Sequence, residues 1–298
     1  MTGTRSASGA AARRDVRRAP RTAGNRLAIA AAAIAAVGAL AAGGALAQAP
    51  SPTKGSAKLP AEIRVGITPN YPPLAFKRDG QLVGIEPDLA KELANQLGVR
   101  FVLVETPWDE LLDALEGREV DVIMSGVSVT ERRKKRVHFT QSYLETGQMA
   151  LIRKDDLTKL SPPDAMNQKG VKVGVERLTT GAKYAREKLE SATIVEYDSI
   201  DAGLEALRGK QIDYFIHDAP TVWRVSGHFD AADDQLTGLY RPLTHEEIAW
   251  AVRKDDASTL GAALDGALDK LRTNGSLAKV LDRWITVRKV TKEIAPAS

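Results

Sequence analysis

The chain repeats itself, and the repeat limits what it can fold into. Trp108–Gly126 (WDELLDALEGREVDVIMSG) aligns without a gap on Ile200–Asp218 (IDAGLEALRGKQIDYFIHD). The pairs Asp109/Asp201, Leu112/Leu204, Ala114/Ala206, Leu115/Leu207, Gly117/Gly209 and Asp121/Asp213 are identical. Each segment reads as an amphipathic helix, a glycine stop, a polar pair and a buried strand. Met149–Asp156 (MALIRKDD) is echoed by Ala249–Asp256 (AWAVRKDD), and Ile63–Thr68 (IRVGIT) by Val171–Glu176 (VKVGVE). From Glu62 onward, short apolar runs alternate with helical patterns, the mark of an α/β fold. Ile63–Ile67 and Phe101–Val104 read as strands, and Glu86–Leu97 as a helix with Pro87 in the first helical position and Gly98 as its stop.

Two related α/β units each present the carboxyl ends of their strands, where open sheets bind ligands. If those ends face each other, Met124–Ser128 and His217–Asp218 form opposite walls of one cleft. The repeated Arg-Lys-Asp-Asp strands mark where the chain changes lobe, near Tyr143–Gln148 and back near Thr244–Ile248. Lobe 1 is then discontinuous, residues 62–144 plus 246–290, and lobe 2 spans 145–245, with a tail at 291–298. Two crossings make a hinge, and a hinged cleft closes around its ligand.

The overall charge, +4, misleads until it is located. Residues 1–47 hold seven Arg and one Asp, which leaves 35 basic and 37 acidic residues in the rest. A nucleic-acid partner, which needs a basic folded surface, is therefore not expected. The Arg-rich start, the apolar run Leu27–Ala47 and the ending Ala45-Leu46-Ala47 read as a secretory signal cleaved after Ala47. The rival is a retained anchor, but the run is mostly Ala with three Gly, poorly hydrophobic for a span. Residues 48–61 read as a disordered tether. The absence of Cys excludes disulfides, a thiol nucleophile and Cys-based metal sites.

Candidate ligand groups gather at the strand ends. Thr130 caps a helix that starts at Glu131 and puts Arg133 at its third position, where a guanidinium offers a carboxylate two hydrogen bonds. The neighbouring Arg132, Lys134, Lys135 and Arg136 read as a solvated charge run. Ser125, Gly126 and Ser128 end the strand before it and suit either a turn or hydrogen bonds to a small polar ligand. Thr179 and Thr180 open the helix after Val171–Val175, as a cap or as an anion site. Asp218 is either an ammonium acceptor or the cap of the helix after Pro220. Tyr71 and Trp108 can wall a pocket. The four His show no metal-ligand spacing, and neither a nucleophile elbow nor a phosphate loop is present. No metal, cofactor or catalytic constellation is expected. An Arg for a carboxylate facing an Asp for an ammonium describes capture of a zwitterion.

The words VGITPNYPPLAF, GQLVGIEPDLAKELANQLG, LLDALEGREVDVIMSGVSVTERRKKRVHFTQSYL and IDYFIHDAP, in this order and spacing, resemble the family-3 periplasmic solute-binding proteins. These are amino-acid receptors of ABC importers. The resemblance runs from about Glu62 to Trp284 and implies a type II periplasmic-binding-protein fold with two hinge crossings. It implies that Arg133, with Gly126 and Ser128 beside it and Thr180 opposite, holds the ligand carboxylate. Asp218 is similar to the acid that takes the α-amino group, and Tyr71 and Trp108 fall where aromatic walls lie. The implied partners are a small amino acid and an inner-membrane permease, met by a periplasmic monomer. Receptors for cationic amino acids usually carry an acid where Thr68 stands, so a polar or medium-sized neutral amino acid is expected. MSGVSVT and SYLETG also resemble periplasmic cyclohexadienyl (arogenate/prephenate) dehydratase. That chemistry needs a general acid, and the branch places a Glu near Thr221; Glu86 and Glu176 are other possible acids.

Overall fold

The computed structural model describes residues 58–228 and 233–285. The leader, most of the tether and the C-terminal tail lie outside these residues, as does the proposed cleavage site.

Two five-stranded sheets share one spatial plan, although the fourth strand comes last in the chain in one sheet and first in the other. The first runs Arg100–Glu105, Glu62–Ile67, Val122–Ile123, Ala251–Val252, His138–Phe139. The second runs Thr193–Tyr197, Lys172–Glu176, Tyr214–Asp218, Gln148–Arg153, Leu236–Leu239. In both, the first three strands are parallel and the fourth is antiparallel to its two neighbours. The parallel strands are apolar because helices pack over them: Ile63, Val65, Val173 and Val175 are fully buried.

Each lobe is pinned by the arginine of its Arg-Lys-Asp-Asp strand. Arg153 donates to the carbonyls of Leu207 (2.9 Å) and Ile212 (2.5 Å) and pairs with Asp156 and Asp213. Arg253 donates to the carbonyls of Leu115 (3.4 Å) and Val120 (2.7 Å) and pairs with Asp256 and Asp121. These partners are repeat counterparts, one for one. Asp121 and Asp213 each also accept a main-chain N–H from the second strand of their sheet, that of Arg64 and that of Lys172. The repeated residues therefore close the helix–glycine–strand turn onto the antiparallel strand of the same sheet.

The lobes are joined by two short crossings. Leu144–Thr146 and Glu246–Ile248 run antiparallel as a two-stranded ribbon outside both main sheets. Two local expectations need adjusting. The helix begins at Ile85, not Glu86, because the carbonyls of Pro73 and Leu74 accept the Ile85 and Glu86 N–H groups; Pro87 is thus its third residue. The strand leading to Ser125 is only Val122–Ile123, since the chain turns at Gly126 with φ +66°. Gly98 ends the helix in the left-handed conformation as its type suggests.

Candidate functional site

The lobe-1 wall is built on one short helix. Thr130 caps Glu131–Lys134, accepting the Arg133 N–H at 3.2 Å, and this fixes the direction of the Arg133 side chain. Arg133 is only 5% exposed. Its guanidinium donates to the carbonyls of Ser128 (2.9 Å) and Leu178 (3.3 Å) and lies 5.2 Å from the centre of the Trp108 ring. None of these partners is a carboxylate. Burial lowers its pKa to about 10, although Asp218 and Glu246 pull in the other direction. A buried cation held only by neutral groups is costly unless a carboxylate joins it.

The other lobe-1 candidates support that wall. Ser125 accepts the Thr68 N–H (3.0 Å), and Thr68 donates its own hydroxyl to the Thr106 carbonyl (3.0 Å). Gly126 gives its N–H to Glu86 at 2.7 Å, and a Cβ there would fall 2.6 Å from the Tyr71 ring. Its positive φ and that close approach both require glycine. Ser128 forms a bridge to Ile248 on the return crossing. Behind these residues, buried Glu86 accepts from Gly126, from the Tyr143 hydroxyl (2.6 Å) and from the Trp250 indole (3.0 Å). Burial pushes its carboxyl up to about 7, and the three donors hold it from rising further.

The lobe-2 wall gathers oxygen acceptors. Asp218 ends its strand and precedes the helix Ala219–Trp223, yet its carboxylate makes no cap hydrogen bond. It turns into the cleft instead, accepting from the Tyr71 hydroxyl of lobe 1 and from the Gln148 amide. Burial raises its pKa; Glu246 adds to the rise, while His217 and the two donors oppose it. Of its two sequence readings, the cap is not formed. Thr179 is the cap of the helix Thr180–Lys188, accepting the Ala182 N–H at 3.1 Å. Thr180 donates to Glu246 (2.8 Å) and accepts from Gln148 (3.0 Å). The main-chain N–H of Asp218 points at His217 Nδ1 (2.8 Å), so the ring proton sits on Nε2, which donates to Glu176 at 3.1 Å.

Tyr71, Trp108, Thr179 and Asp218 line one pocket together with Glu176 and His217. Arg133 and Thr180 line the adjoining groove with Thr179 and Glu246. Ser125, Gly126 and Ser128 shape the lobe-1 wall without lining either. Gln148 and Glu246 were not foreseen. Glu246 sits on the return crossing, paired with Thr146, and Gln148 opens the strand that follows the outward crossing, so the pairing of the two crossings brings them together. The lobes also meet outside the pocket, where Arg177 pairs with Asp109 (2.7 Å) across the cleft and with Asp198 (2.9 Å). Among the described residues no cluster suits a metal ion, and no helix is long and apolar enough to cross a membrane.

Two lobes built on sheets of one spatial plan, joined by paired crossings, with a cation on one wall and acids on the other, define the type II periplasmic-binding-protein fold. Residues 63–287 match the bacterial extracellular solute-binding proteins, family 3, and the chain belongs to that family. It is 32% identical over 234 residues to the L-arginine-binding protein of Pseudomonas aeruginosa, covering 75% of this chain and 88% of that one. It is 29% identical over 223 residues to the L-cystine-binding protein TcyJ of Escherichia coli K12, covering 74% of this chain and 82% of the relative. Among solved structures, the ancestral amino acid-binding protein AncCDT-1, a precursor of cyclohexadienyl dehydratase, superposes with a TM-score of 0.68 at 30% identity, covering 75% of this chain and 95% of that one. A putative ABC-transporter binding component from Wolinella succinogenes, complexed with lysine, gives a TM-score of 0.70 at 27% identity, covering 76% and 96%.

Proposed function

We propose that this protein is a periplasmic receptor that captures one amino acid between its lobes and delivers it to an ABC importer. The carrying observation is Arg133, a buried guanidinium with no carboxylate partner among the described residues, facing an acidic wall that includes Asp218. The ligand carboxylate binds Arg133 with Thr180 near it, its ammonium binds Asp218, and Tyr71 and Trp108 flank it. Closing over the ligand stabilises the closed form by the ligand's differential affinity for it. The leader directs export and is removed after Ala47, and the mature chain acts as a monomer.

Binding without turnover fits the acids present. Thr221 stands where the dehydratase reading looks for a Glu, Glu86 is engaged by three donors, and Glu176 is held by His217. The relatives named above are binding proteins. The test is calorimetry of ligand-stripped protein against the twenty common amino acids. Binding of at least one, abolished in Arg133→Ala, supports the reading. Silence across the panel, or conversion of prephenate or arogenate to an aromatic product, overturns it.

A further inference from the structure

Among the buried ionisable side chains that face the cleft, acids outnumber cations. Glu176, Asp218 and Glu246 are 6, 8 and 9% exposed, against Arg133 at 5% and His217 at 3%. With His217 neutral, as its Nδ1 contact favours, the excess is two negative charges; with His217 protonated it is still one. A zwitterionic amino acid adds no net charge, so it leaves this excess uncorrected in a poorly solvated cleft.

The three acids are not equally provided for. Glu246 accepts from the Thr180 (2.8 Å) and Thr244 (2.7 Å) hydroxyls, one on each oxygen. Asp218 accepts from Tyr71 and Gln148, also one on each oxygen. Glu176 accepts one described side-chain hydrogen bond, from His217 on Oε2, and it lines the pocket. Thr68, also in the lining, already spends its hydroxyl on Thr106. The expectation of a neutral ligand rested on the lack of an acid at Thr68, and lobe 2 supplies one in the same pocket.

Resting on the amino-acid reading above, we infer that the ligand carries a cationic nitrogen on its side chain and that Glu176 is the residue that selects it. Glu176 and Asp218 flank the His217 imidazole, at 3.1 Å from Nε2 and 3.7 Å from Nδ1. One ring thus separates the two acid sites. A ligand whose α-ammonium meets Asp218 reaches Glu176 with a second nitrogen a few bonds further on. His217, edge-on to Tyr71 with ring centres 5.3 Å apart and stacked on Phe215, is a positioning residue for Glu176.

Two matched pairs test this by calorimetry on ligand-stripped full-length protein: arginine against citrulline, and lysine against norleucine. The charged member is expected to bind at least about tenfold tighter in one pair or both. Glu176→Gln should remove that preference while changing the affinity for neutral members less than about threefold; Glu176→Asp, which keeps the charge, should retain it. Equal or tighter binding of the neutral members overturns the inference, as does an equal loss for both members in Glu176→Gln. If only a neutral amino acid of the panel binds, this inference fails and the amino-acid reading stands. If no amino acid binds, both fall. Should Glu176→Gln not fold, the wild-type pairs decide alone.

Discussion

The two lobes are alike where they are held together and unlike where they face the cleft. Arg153 and Arg253 tie equivalent carbonyls and equivalent aspartates, and both sheets set three parallel strands beside an antiparallel strand and an edge strand. At the carboxyl ends the lobes diverge. Lobe 1 ends its first strand near Thr68 and turns at Gly126 into the helix that carries Arg133; lobe 2 ends the matching strands in Glu176 and Asp218. A shared scaffold thus gives one wall a cation and the other wall acids. Glu86, second in the lobe-1 helix Ile85–Leu97, is matched by Gly181, second in Thr180–Lys188. A Cβ at Gly181 would lie 2.7 Å from Gln148 Oε1, so the missing side chain leaves room for the amide that serves Asp218 and Thr180.

The contrast between walls breaks first at Arg133. Arg133→Ala is expected to cost about 3–5 kcal/mol of ligand affinity, because a buried carboxylate loses its charged partner. Calorimetry measures it, and a loss below about 1 kcal/mol would mean the walls do not divide the ligand's charges. Next comes Glu86, whose folded-state carboxyl is raised to about 7 from 4.5. The folded chain binds this proton more tightly than the unfolded chain. Stability relative to Glu86→Gln is therefore expected to fall as pH rises from about 4.5 through 7, by up to roughly 3 kcal/mol. Denaturant unfolding at pH 5 to 8 reads it; parallel curves for both proteins would refute it.

The likeness of the lobes is tested by its two pins. Arg153→Ala and Arg253→Ala should each cost about 2–3 kcal/mol, through carbonyls left without donors and aspartates left without a partner. Costs differing by more than about 2 kcal/mol would show that the two nodes are not equivalent. The smallest effect belongs to the bridge across the cleft. Arg177 and Asp109 are partly exposed, so Arg177→Ala should change affinity by less than about 1 kcal/mol, and less still in high salt.

Much of this was written locally. The repeat exposed the two lobes, Thr130 and Thr179 announced their caps, and Gly98 its stop, because each signal lies within a few residues of its effect. The placing of Arg133 on its capped helix and of Asp218 at its strand end is legible for the same reason, though only the fold shows that Asp218 makes no cap. The Glu86 node was not legible: its donors lie 40, 57 and 164 residues away. Gln148 and Glu246 escaped because their position depends on two crossings meeting 100 residues apart in the chain. Glu176 is legible in the sequence only as a possible acid of the dehydratase chemistry, since its side-chain partner His217 comes from the neighbouring strand.

The late strand Ala251–Val252 sits between Val122–Ile123 and His138–Phe139 in the first sheet. The second sheet, by contrast, draws all its strands from residues 148–239. A nascent chain can therefore complete its second lobe while its first still lacks an inner strand. The lobe begun first is finished last, and truncation before residue 250 should leave an intact second lobe attached to an open-edged first one.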